Sequence, residues 1–182
     1  MDNITKIGGL SIGSEENPAA NETLEMVSMT KLNEVTGNIH VYNNGVKFVQ
    51  FDLLKAIEGD FVISSSTLTT LQIPELINVG GALNIFGMGK GAISTLVFPK
   101  VQTVKNSLSI NEISTLKSIS FPELIETGSI NFSSLPIEFE KLSMPKLSVV
   151  NGDCFIISNY IQGDLFSTTG NAVSYTHLTL PT

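Results

Sequence analysis

The sequence predicts a mainly β solenoid built from about seven coils of roughly 23 residues each. Three observations carry this prediction. A block recurs in which an apolar anchor is followed by a Gly-rich turn, an alternating triplet, a polar stretch and a second apolar group; the anchors are Ile7, Val35, Ile57, Val79, Val104, Thr127 and Val150, at steps of 28, 22, 22, 25, 23 and 23. Pro74, Pro99, Pro122 and Pro145 mark the same phase independently, each followed two residues later by Leu76, Val101, Leu124 or Leu147. The triplets Leu10-Ser11-Ile12, Ile39-His40-Val41, Leu83-Asn84-Ile85, Leu108-Ser109-Ile110 and Ile130-Asn131-Phe132 alternate apolar, polar, apolar.

Each element follows from these signals. Period two with β-branched residues is a strand with one face buried, so each triplet reads as a strand whose central residue points outward. The clearest preceding turns are Val79-Gly80-Gly81-Ala82 and Ile57-Glu58-Gly59-Asp60. Second apolar groups such as Leu68-Leu71-Ile73-Leu76 and Leu116-Ile119-Phe121-Leu124 mix spacings of two and three. That mixture suits an extended or irregular return segment, and the proline limits helix there. Lys105-Asn106 replaces the glycines of the fifth block, and the first carries an insert from Gly13 to Thr23. A single repeat has too little apolar surface to offset the entropy of ordering it, so neighbours must stack over a shared core. Leu83, Ile85, Phe98, Leu108, Ile110 and Phe121 are expected in that core.

Phrases such as Pro74-Glu75-Leu76-Ile77-Asn78-Val79-Gly80-Gly81-Ala82-Leu83-Asn84-Ile85 and Phe121-Pro122-Glu123-Leu124-Ile125-Glu126-Thr127-Gly128-Ser129-Ile130-Asn131 resemble the receptor L-domain type of leucine-rich-repeat solenoid. The resemblance covers about Ile4 to Leu165. It implies a right-handed solenoid with a parallel sheet along one face, residence outside the cell, and no catalytic residues to carry over. Bacterial surface leucine-rich repeats are of similar length, but their Cys or Ala-Phe signature is absent. The expected organisation is one solenoid domain over residues 1–165 as a fragment of a longer protein, an unassigned tail over 166–172, and a non-native stretch over 173–182. That last stretch, Val173 to Thr182, breaks the repeat pattern and resembles, residue for residue, a translated transposase sequencing adapter.

Composition excludes several classes of function. The 17 acidic residues outnumber 10 basic ones, all Lys, which poorly matches the Arg forks and basic patches that bind nucleic acid. No run of 18 apolar residues exists to span a bilayer, and the first residues lack a secretory n-region and h-region.

Residues that could carry chemistry are few. His40 is the one histidine outside the adapter-like stretch, so triads and His-based metal sites have almost nothing to work with. Cys154, the sole cysteine, forms no intrachain disulfide and reads as a small buried hydrophobe. Gly80-Gly81 and Gly87-Met88-Gly89-Lys90-Gly91 lack the spacing of a phosphate loop and read as turns. Glu15-Glu16 and Glu138/Glu140 read as charged surface. Asn3-Ile4-Thr5, Asn21-Glu22-Thr23 and Asn131-Phe132-Ser133 match the glycosylation sequon, which matters in a glycosylating host.

The expected function is therefore a non-catalytic, extracellular recognition or adhesion module, without cofactor or metal, binding a protein or a glycan. Its outer strand row runs Ser11, His40, Val62, Asn84, Ser109 and Asn131, flanked by Tyr42, Phe86 and Asn111. The expected ligand-binding residues are His40, Tyr42, Asn84, Phe86, Asn111 and Asn131. Seven strands about 4.8 Å apart make a face roughly 29 Å long. A structural spacer in a larger surface protein and a parallel β-helix carbohydrate-active enzyme are the alternatives. Against the enzyme, no Asp or Glu stands at the centre of the outer row.

Overall fold

Stacking seven imperfect repeats of one block requires that equivalent residues of successive blocks pair, and they do. The computed structural model describes residues 3–17, 23–87 and 92–157, and the backbone of His177–Thr179. All seven anchors lie in one parallel register, Ile7 to Val35 to Ile57 to Val79 to Val104 to Thr127 to Val150, which makes seven rungs with six turns of chain between them. Three or four residues further on, the triplets pair in the same order. Leu83 and Ile85 lie beside Phe61 and Ile63 on one side and Leu108 and Ile110 on the other. The protein is thus a mainly β solenoid, strand-built and free of helix among the described residues.

The return segments are more regular than their mixed spacing suggests. Met26–Ser28, Phe48–Gln50 and Thr70–Gln72 form one short parallel sheet, and Thr95–Val97, Ser118–Ser120 and Lys141–Ser143 form another. Each contributes its central apolar residue to the core, such as Val49, Leu96, Ile119 and Leu142. At the following corner the proline takes the second position of a turn closed by backbone bonds such as Leu124 N–H to Phe121 C=O, 3.3 Å, and Leu147 N–H to Met144 C=O, 3.2 Å. Its fixed φ suits that position and it has no N–H to waste.

The core is one continuous column. Leu83, Ile85, Leu108, Ile110, Phe98 and Phe121 are all buried, and Phe98 stacks face to face on Phe121 with centroids 4.5 Å apart. Cys154 is buried in the same column, and burial pushes its thiol pKa up.

The Gly-rich signals have a cause beyond turn formation. Asn38 Oδ1 accepts from Asp60 N–H at 2.8 Å, and Asp60 Oδ1 accepts from Ala82 N–H at 2.7 Å, so each side chain crosses to the next coil. A Cβ on Gly59 would land on Asn38 Oδ1 and one on Gly81 on Asp60 Oδ1. Glycine leaves room for the cap beneath it. In the fifth coil, where Lys105-Asn106 stands instead, the two flanking strands merge into Thr103–Asn111, and the register shifts between Val104 and Ser107 against the shorter sixth coil.

One difference from the sequence reading stands out. Period two places Val62, Ser64, Ser109 and Asn111 on the outer side, yet all four are buried. Two of them are overtopped by larger cross-strand neighbours: Val62 and Ser64 lie between His40 and Tyr42 on one rung and Asn84 and Phe86 on the next. The outer face is therefore furrowed. Within the adapter-like stretch, the backbone of His177–Thr179 runs parallel to Cys154–Ile157, with Phe155 opposite His177. A sheet edge offers N–H and C=O groups to any extended segment, so this pairing needs no cognate apolar pattern. Residues 158–176 and 180–182 lie outside the described residues.

Leu108→Ala removes a fully buried side chain and should cost roughly 2 to 5 kcal/mol in denaturant unfolding. Ser109→Ala should cost little, because its hydroxyl faces the opposite side of the same strand. Equal losses would contradict the strand phase.

Candidate functional site

The furrow on the outer face deepens into a cavity of about 340 Å³ at the C-terminal ends of the strands. Its walls are Tyr42, the last residue of Ile39–Tyr42, and Asn84 and Phe86 of Leu83–Phe86. Val62 and Ser64 of the intervening strand form the floor, and their small size is what makes the site concave. Two carboxylates complete the lining. Glu15 comes from the first-coil insert, where Asn17 N–H bonds Ser14 C=O at 3.2 Å, and Glu112 sits just past Thr103–Asn111 in a left-handed conformation with φ 59°.

Three of the six expected binding residues, Tyr42, Asn84 and Phe86, meet in this cavity. His40 stands beside it, its ring edge-on to Tyr42 at 5.7 Å. Asn111 is buried, and its Oδ1 accepts from both Ser133 N–H and Ser133 Oγ at 2.8 Å, so its amide serves the joint between two coils. Asn131 is exposed and lines a separate depression of about 500 Å³ with Phe155, Asp153, Ser129 and Ser133.

Sequence reasoning missed Glu15, Glu112 and the floor. Glu15 was legible only as surface charge, and Glu112 stands beyond the alternating triplet. Val62 was read as outward but not as the base of a hollow between two larger pairs. A wider depression, about 540 Å³, lies along the first strand row around Ala56, Asn78 and Thr103. It lacks aromatic side chains, and Asn78 there is engaged by Thr103 Oγ1 at 2.8 Å.

The electrostatics of the cavity register on Tyr42. Partial burial, then the negative charges of Glu15 and Asp60, raise its phenol above the ordinary value of 10.0. At neutral pH Tyr42 thus presents a neutral hydroxyl, donor and acceptor, beside an apolar ring face. Among the described residues no group of three or more His, Cys, Asp or Glu side chains could hold a metal ion. No helix there is long and apolar enough to cross a membrane.

A raised folded-state phenol pKa stabilises the protein fully below pH 10, and that contribution is lost as pH rises through the folded pKa. Glu15→Gln removes one of the charges that raise it. In an absorbance titration of phenolate, the Tyr42 transition should therefore move to lower pH in that variant. An unmoved transition would place Glu15 away from the ring.

With this geometry in hand, comparison with known proteins gives one distant relationship. The chain is 30% identical over 125 residues to the cell wall protein ecm33 of Schizosaccharomyces pombe, a match covering 66% of this chain and 23% of that protein. No family model matches, and no solved structure matches. The chain is a distant relative of a cell wall protein, and it spans less than a quarter of that relative's length.

Proposed function

We propose that this solenoid is a recognition module of a cell-surface or cell-wall protein, and that its ligand is a glycan strand or a protein segment seated in the Tyr42–Phe86 cavity. One observation carries the reading: two aromatic side chains and an amide from alternate rungs converge over a small-residue floor, with carboxylates at the rim. Ring faces offer contact area with few rotatable bonds to freeze. Amides and carboxylates supply the hydrogen bonds that a polyhydroxylated or peptide ligand demands. The distant relationship to a cell wall protein supports the extracellular setting.

The site is held by the scaffold. Tyr42 and Phe86 end strands whose inward neighbours, Val41 and Ile85, are fully buried, so their positions are fixed by the core and cost little ordering on binding. His40, packed against Tyr42, extends the same surface along its own strand, towards the N-terminal ends of the strands.

One feature favours a second reading. Glu15 and Glu112 line the same cavity, and paired carboxylates are what glycoside hydrolysis uses. The binding reading places them as hydrogen-bond acceptors, with no turnover.

A glycan array and a pull-down from cell-surface extracts, run on the wild type and on Tyr42→Ala/Phe86→Ala, separate these readings. Removing both rings should weaken binding about tenfold or more, on the order of 1.4 kcal/mol, with an unchanged circular dichroism spectrum. Binding that survives the double substitution would move the site off this cavity. Release of reducing ends, abolished by Glu112→Gln, would establish the hydrolase instead.

A further inference from the structure

We propose that Asn131 is an N-glycan attachment site, and that its glycan occupies the C-terminal part of the outer face, leaving the Tyr42–Phe86 cavity as the open part. This rests on the cell-surface reading, because the modification requires passage through a glycosylating compartment.

The argument begins with what the other outer-face asparagines do. Asn78 Oδ1 accepts from Thr103 Oγ1 at 2.8 Å, Asn84 Oδ1 from Ser107 Oγ at 3.3 Å, and Asn111 Oδ1 from Ser133. Each is tied into a joint between coils, and none has a hydroxyl residue two positions on: Asn78-Val79-Gly80, Asn84-Ile85-Phe86 and Asn111-Glu112-Ile113. Asn131 differs on both counts. It is exposed, takes part in none of these joints, and stands in Asn131-Phe132-Ser133 with no proline between.

The surroundings accept a bulky substituent. The depression of about 500 Å³ around Asn131 is lined by small polar residues, Ser129 and Ser133, and by Phe155, which pairs in register with Asn131 and is 37% exposed. A sugar leaving Nδ2 would lie between these residues with an aromatic face beside it. Phe132, by contrast, points into the core and is fully buried, so the strand holds Asn131 outward without freedom to turn away. Ser133 Oγ, the sequon hydroxyl, is bonded to Asn111 at 2.8 Å once coil six closes on coil five, so transfer belongs to the chain before that closure.

In the transfer, a bond forms between Asn131 Nδ2 and the anomeric carbon of the first sugar. The bond that breaks joins that carbon to the pyrophosphate oxygen of a polyprenyl-pyrophosphate oligosaccharide donor. The polyprenyl pyrophosphate leaves, and one Nδ2 proton is released. Asn131 lies two rungs from Asn84, about 10 Å, so the glycan is rooted beside the binding cavity rather than in it.

The test is to express the full chain behind a cleavable secretion leader in yeast and to map glycans by peptide N-glycosidase treatment, which leaves Asp where a glycosylated Asn stood. Asn3, also exposed and in a sequon, is the internal comparison. The proposal expects Asp at position 131, and one glycan's mass lost in Asn131→Gln and in Ser133→Ala but kept in Ser133→Thr. Unmodified Asn131 in a secreted chain, whether or not Asn3 is glycosylated, overturns it. Array binding measured on the same preparations reports separately on the cavity: binding lost in Tyr42→Ala/Phe86→Ala with Asn131 glycosylated supports both readings, and binding indifferent to those rings fails the cavity alone.

Discussion

Everything in this protein depends on direct stacking of each coil on the next, so that one coil's backbone donors meet the next coil's acceptors. The bonds run the length of the chain: Ile39 N–H to Asp60 C=O at 2.8 Å, Phe61 N–H to Ala82 C=O at 2.7 Å, Ile130 N–H to Asp153 C=O at 2.9 Å. A parallel ladder of this kind tolerates little error, because a slip of one residue would turn every core side chain to solvent. Several devices hold the register. The Asn38–Asp60–Ala82 caps and the glycines above them allow only one offset. The position after each corner proline alternates in charge, giving exposed pairs Glu75–Lys100 at 2.7 Å and Glu123–Lys146 at 2.6 Å. Exposed ion pairs add little stability, but stacking that skipped a coil would place like charges together.

Because stacking fixes the rungs, it also fixes what the outer face can present. Side chains on neighbouring rungs sit about 4.8 Å apart, so a small residue between large ones becomes a hollow. Val62 and Ser64 between His40–Tyr42 and Asn84–Phe86 are the instance that matters here. The same rule accounts for Asn111, whose amide fills the gap to Ser133 and closes that part of the face. Hollows in such a solenoid come from variation among its repeats.

This explains how far the sequence could be read. Anchors and triplets were legible to the residue, since burial imposes period two and the core strongly favours apolar side chains: Val35, Ile57, Val79 and Val104 line up as their spacing predicts. The return strands were harder, because three-residue strands between bends leave no clean period. Four of the seven residues lining the candidate site were legible as outward, namely Tyr42, Val62, Asn84 and Phe86. Its hollow was not, because depth depends on the relative sizes of residues 22 positions apart, and neither were Glu15 and Glu112, which arrive from a loop and from a strand end. Edge pairing by His177–Thr179 was illegible for a different reason: it uses main-chain groups that every sequence has.

Amide hydrogen exchange tests the stacking account most directly. Slow exchange should recur once per coil, at the amides of Ile39, Phe61, Phe121 and Ile130 that bond the next coil, and should fade towards Leu10 in the first coil. Protection confined to one contiguous block of sequence, with the remaining rungs exchanging freely, would contradict it.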